Sequence, residues 1–148
     1  EEPIGTFAEY IDEKFKAFRR NAIEDFQVMH LANRGYEHRA PSPQLGDEQL
    51  LENVRLLLRQ VGYFGIVDRY NESLKVFENS LAPNFPDLQF KAFHENSLQE
   101  KSLTINEKVK MVLESLEERE RSRLVMRNLL DFRLYEYALG QFDSLVQI

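Results

Sequence analysis

The side chains able to do chemistry are few and scattered along the chain. Its three histidines, His30, His38 and His94, lie in three segments, and none shares a helical face with a second ligand at His-x-x-x-His or Glu-x-x-His spacing. No metal site is expected. Asp and Glu number 25, but most fall on the polar faces of amphipathic stretches, where solvation keeps a carboxylate ordinary. The six glycines are scattered singly except for Gly62 and Gly65, and there is no Gly-x-x-x-x-Gly-Lys run to cradle a phosphate. Gly62-Tyr-Phe-Gly65 precedes an apolar run, whereas a nucleotide loop follows one, so it reads as a tight turn. Ser42, Ser73, Ser80 and Ser97 lack a Gly-x-Ser-x-Gly setting for a nucleophile. Residue types and spacing thus assign no catalytic, cofactor-binding or metal-ligating residue. One cluster remains: Arg34, His38 and Arg39 beside Tyr36, a basic group suited to gripping a sulfate, carboxylate or phosphate on a substrate. Its plain reading is a solvated basic loop.

That cluster sits between helices. Thr6 and Glu9 form a Thr-x-x-Glu capping box, and Phe7, Ile11, Phe15, Phe18, Ala22, Phe26 and Met29 follow at steps of three and four. One helix is predicted from about Thr6 to about Leu31, its aromatic face turned to the core. From Ala32 to Gly46, Asn33, Gly35, Pro41, Ser42 and Pro43 mark a loop of about 15 residues, long for a compact domain. A second helix spans Asp47 to about Gln60 and ends at Gly62. Tyr63-Phe64-Gly65-Ile66-Val67 reads as a short buried strand, after which Asp68 is expected to cap a third helix stopped by Pro83. Asn84 to Lys101 reads mostly as loop, with a short extended piece near Leu88 to Phe93. Thr104 and Glu107 form a second capping box. The charge run Glu117 to Arg123 reads as a solvated turn of helix or a break, and a last amphipathic helix runs from Leu124 to Phe142. The class predicted is mainly α, about five helices with one short buried strand.

Composition narrows the function. With 148 residues, 43% of them hydrophobic and 30% charged, the chain can bury one core, so residues 1–148 read as a single helical unit. The net charge is −6, which disfavours broad binding to nucleic acid. No apolar run approaches the ~20 residues of a membrane helix, so no membrane partner is expected. There is no cysteine, which excludes disulfides, a thiol nucleophile and an iron–sulfur cluster and fits a reducing compartment. A bacterial, cytoplasmic protein is expected on that basis. The first residue is Glu1 and not methionine, so the chain is expected to be a piece of a longer product.

Two segments carry a resemblance. Gly65-Ile66-Val67-Asp68-Arg69-Tyr70-Asn71-Glu72-Ser73-Leu74 resembles the strand-to-helix signature of the carbohydrate-type sulfotransferase superfamily. Asn128-Leu-Leu-Asp131-Phe-Arg-Leu134-Tyr135-Glu136-Tyr137-Ala138, followed by Phe142, is similar to the closing helix of the same proteins, and Glu95-Asn96-Ser97 lies between them. The matched segments lie within the last two thirds of the chain. The resemblance implies the C-terminal half of an α/β, P-loop-like sulfotransferase that moves a sulfuryl group from 3′-phosphoadenosine 5′-phosphosulfate (PAPS) to a hydroxyl of a carbohydrate or small molecule. The family's donor-binding and catalytic motifs precede the matched portion, and no position here corresponds to them. The chain alone is therefore expected to be inactive and without a cofactor, with PAPS belonging to the full-length protein. Its expected partners are the missing N-terminal half and the acceptor. Gly65, Asp68, Arg69, Glu72, Asn128, Asp131 and Tyr135 are the family-motif positions, read as structural: Asp68 as a cap, Arg69 pairing with a carboxylate, Asp131 and Tyr135 tying their helix to the body. A reading from another class is a helical interaction module that binds through its first helix or the loop from Asn33 to Gly46.

Overall fold

A computed structural model describes residues 5–16, 24–32, 45–91 and 105–147. Among them are seven α-helices and no strand: α1 (Phe7–Lys16), α2 (Phe26–Ala32), α3 (Asp47–Val61), α4 (Tyr70–Leu81), α5 (Ile105–Glu114), α6 (Glu118–Met126) and α7 (Leu129–Val146), with a 3-10 turn at Val67–Arg69 before α4. The mainly helical class is as expected. None of these helices is long and apolar enough to cross a membrane.

α7 is the spine. Leu130, Leu134, Ala138 and Phe142 recur every four residues along it and are all buried. Its first half closes on Val28 of α2 and on Leu50, Leu51 and Val54 of α3. Its second half packs with Ile66 and with Val76 of α4. Leu58 of α3 touches both clusters. α1 packs separately against α6, where the Phe15 ring lies 4.5 Å from the guanidinium groups of both Arg123 and Arg127.

Three expectations are corrected. The single helix predicted over residues 6–31 is two helices, α1 and α2. Asp25, immediately before α2, has a φ of 44°, in the left-handed region that no α-helix passes through. Phe18 and Ala22 of the predicted stripe lie outside the described residues. At the chain's other end, the predicted Leu124–Phe142 helix breaks at Arg127–Asn128 into α6 and α7, and the charge run forms the start of α6, where the Glu117 amide donates to Glu120 at 3.1 Å. Finally, the strand at Tyr63–Val67 is absent. Ile66 is extended (φ −109°, ψ 123°) and buried, but its backbone is satisfied by a serine side chain in place of a neighbouring strand. Val67 is 81% exposed. The Thr6–Glu9 capping box is present, with the Thr6 amide donating to Glu9 at 2.6 Å and the Glu9 amide to Thr6 Oγ1 at 3.3 Å. Thr104, of the second expected box, lies outside the described residues, and residues 84–91 form turns and coil without a strand.

Candidate functional site

The seven motif positions gather in two places along α7, its first turn and its middle to C-terminal half. Around its middle and C-terminal half, the chain leaves α3 through Gly62, whose φ of 78° favours glycine, and reaches Gly65. A side chain at Gly65 would meet Cβ of Ser73 at 3.0 Å and the Phe77 ring at 3.1 Å, so glycine lets this segment lie directly on α4. Ser73 then locks it. The Ile66 amide donates to Ser73 Oγ at 2.8 Å, and that hydroxyl reaches the carbonyls of Ile66 and Arg69, each at 3.0 Å.

The 3-10 turn aims two charged side chains at α7. Asp68 was expected to cap α4; instead its carboxylate accepts a hydrogen bond from the Tyr135 hydroxyl at 2.6 Å. The physical reason is the extra turn at Val67–Arg69, which makes Arg69 the residue preceding α4 and leaves Asp68 facing α7. Arg69 pairs with Glu72 through two hydrogen bonds, at 2.8 and 2.5 Å, reaches Asp143 of α7 with its other nitrogen, and lies 4.8 Å over the Phe142 ring. The guanidinium holds the Glu72 carboxyl below its usual range. Hydrogen bonding to Asp68, with burial adding, pushes the Tyr135 hydroxyl above 10.0. That phenol donates a proton to its partner and is poorly set to remove one from a substrate. The arrangement positions a turn and two helices.

At the N-terminal end of α7 the remaining motif residues meet Asp25. The Asp25 amide donates to Asn128 Oδ1 at 3.2 Å, and Asn128 Nδ2 donates back to the Leu124 carbonyl at 2.9 Å. Asp131 accepts from the amides of Gln27 (2.9 Å) and Val28 (2.8 Å), the open first turn of α2. Asp25 in turn accepts from the amides of Leu130 (2.8 Å) and Asp131 (3.1 Å), the open first turn of α7. Each helix start is capped from the other helix.

Sequence reasoning missed Asp25, the locking role of Ser73, Phe142 as a stacking partner, and Asp143. Asp25 carried a usable signal, an Asp directly before the apolar run Phe26-Gln-Val-Met, as at a helix N-cap. Arg34, His38, Arg39 and Glu95-Asn96-Ser97 lie outside the described residues. Among the described residues, no group of three His, Asp or Glu side chains is placed to hold a metal ion. Comparison with protein-family models, curated proteins and solved structures yields no match.

Proposed function

We propose that this chain is the C-terminal region of a PAPS-dependent sulfotransferase, and that it buttresses a donor-binding half lying outside these residues. The observation that carries this reading is the contact between its two resemblance-bearing segments. They are separated by 67 positions at Asp68 and Tyr135, yet those two side chains share a hydrogen bond, and Arg69 lies against Phe142. A direct contact between the two segments is what a junction shared with that superfamily requires. Sulfuryl transfer needs positioned amides and cations around the transferred group, which the missing half would supply. The segment bearing Arg34, His38 and Arg39 is assigned to the acceptor because arginine forks suit anionic groups on a ligand.

The test is calorimetric titration with adenosine 3′,5′-bisphosphate, the desulfated donor product, on this chain and on the product translated together with the sequence upstream. Saturable one-to-one binding by the longer product alone supports the proposal. Its absence from the longer product overturns it, and binding by the 148-residue chain itself would place the donor site within these residues.

One observation favours a second reading, a helical interaction module. Leu129, Phe132 and Tyr135 stand three residues apart on the outer side of α7 and are 47%, 47% and 40% exposed. Absence of nucleotide binding from both proteins would leave this reading standing.

A further inference from the structure

Two helix N-termini lie together where α2 and α7 begin, an unfavourable arrangement because both carry the positive end of a helix dipole. The exchange of carboxylates resolves it: Asp131 neutralises the start of α2 and Asp25 the start of α7. It also brings two anions together, and their oxygens are used unequally. Asp131 accepts through both, Oδ2 from Gln27 and Oδ1 from Val28. Asp25 accepts both of its amides on Oδ1, and among the described residues its Oδ2 takes no hydrogen bond.

We propose that Asp25 and Asp131 form a one-proton clasp between α2 and α7, which takes its proton on Asp25 Oδ2 and so tightens as the pH falls and loosens as it rises. A proton there breaks neither amide bond and removes the repulsion between the carboxylates. Among the described residues, no arginine offsets that repulsion directly. Arg127, at the end of α6, is tied to Glu24, and Arg133 of α7 is tied to Glu48 of α3 at 2.5 and 2.8 Å. Among the described residues, the charges facing Asp25 are negative: Asp131 from α7 and Asp47 from α3. On α2 itself, a ring nitrogen of His30 lies 3.0 Å from the carbonyl of Phe26, the residue that follows Asp25. Burial, the largest influence, and then these two anions push the Asp25 carboxyl above its usual 3.8, against the opposing pull of the two amides. The sign follows. A carboxyl raised in the folded protein adds stability that is complete below pH 3.8 and is lost as the pH climbs through the folded value.

Two substitutions of equal size separate this from ordinary capping. Asp25→Asn keeps an oxygen for both amides, sets an NH2 group where the proton would sit, and tolerates the left-handed backbone. Asp131→Asn must turn an NH2 group toward the amide of Gln27 or Val28. Thermal melts from below pH 3.8 up to about pH 8 are expected to show the wild type losing stability relative to Asp25→Asn as the pH rises. At the higher pH Asp25→Asn should melt no lower than the wild type, while Asp131→Asn melts lower there. In the unsubstituted chain, the carboxyl carbon of Asp25, followed by NMR, should titrate above the ordinary aspartate range. The clasp is overturned if Asp25→Asn melts below the wild type at the higher pH, or if the Asp25 carbon titrates at or below 3.8.

Discussion

Ser73 is the buried polar residue on which the junction of the turn and α4 depends, 4% exposed among apolar neighbours. Its hydroxyl stands in for a neighbouring strand, and replacing it with alanine strands the Ile66 amide in the core. Ser73→Ala is expected to cost about 2 kcal/mol, the penalty of one buried donor left unpaired, measured by urea unfolding. A loss below about 0.5 kcal/mol would mean that water replaces the hydroxyl. Gly65→Ala tests the same contact from the other side. The new Cβ would press on Ser73 and on the Phe77 ring, so a loss of about 1–3 kcal/mol is expected in the same measurement. The sequence made these residues visible as members of a motif but left Asp68 with the wrong partner. Its true partner, Tyr135, is remote in the chain, and local spacing reports only the helix that follows.

Exposed ion pairs act both between and within elements: Glu48 of α3 to Arg133 of α7, Glu52 to Arg59 within α3, and Glu72 of α4 to Arg69. In each, hydrogen bonding to the arginine holds the carboxyl below its usual 4.5. Depressed carboxyls contribute stability that is present above pH 4.5 and lost as the pH falls through their folded values. Melting temperature should therefore drop from about pH 4.5 downward, less steeply in Arg133→Gln and in about 1 M salt, because exposed pairs are screened. An acid limb that ignores both changes would remove these pairs from the account. The helices themselves were legible where apolar spacing and caps agreed, as at Thr6–Glu9 and along α3. The bend at Asp25 was not, because Phe26 and Met29 continue the three-and-four rhythm of α1 across it. Hydrophobic period records which faces are apolar and is blind to a single residue of positive φ.

Across the whole molecule, the four buried positions of α7 hold two clusters on one rod, and that sets how the fold comes apart. The helical class was legible from composition and period. The sharing of a core was not, since it depends on which faces meet. Phe142 is fully buried against Ile66, Val76 and Phe64, and it belongs to the cluster that excludes α2. Phe142→Ala should cost about 3–5 kcal/mol, a large share of the stability of a domain this size. If α7 transmits order along its length and Leu58 bridges the clusters, the loss is global. Amides of α2, whose Val28 lies in the other cluster and whose first turn is capped by Asp131, should exchange faster by the same free energy as those of α4. Hydrogen exchange resolved by residue decides it. Faster exchange in α4 with α2 still protected would make the two clusters independent units that merely share a helix. Equal acceleration in both makes α7 the single cooperative element, and disrupting either cluster then unfolds the motif-bearing junction with it.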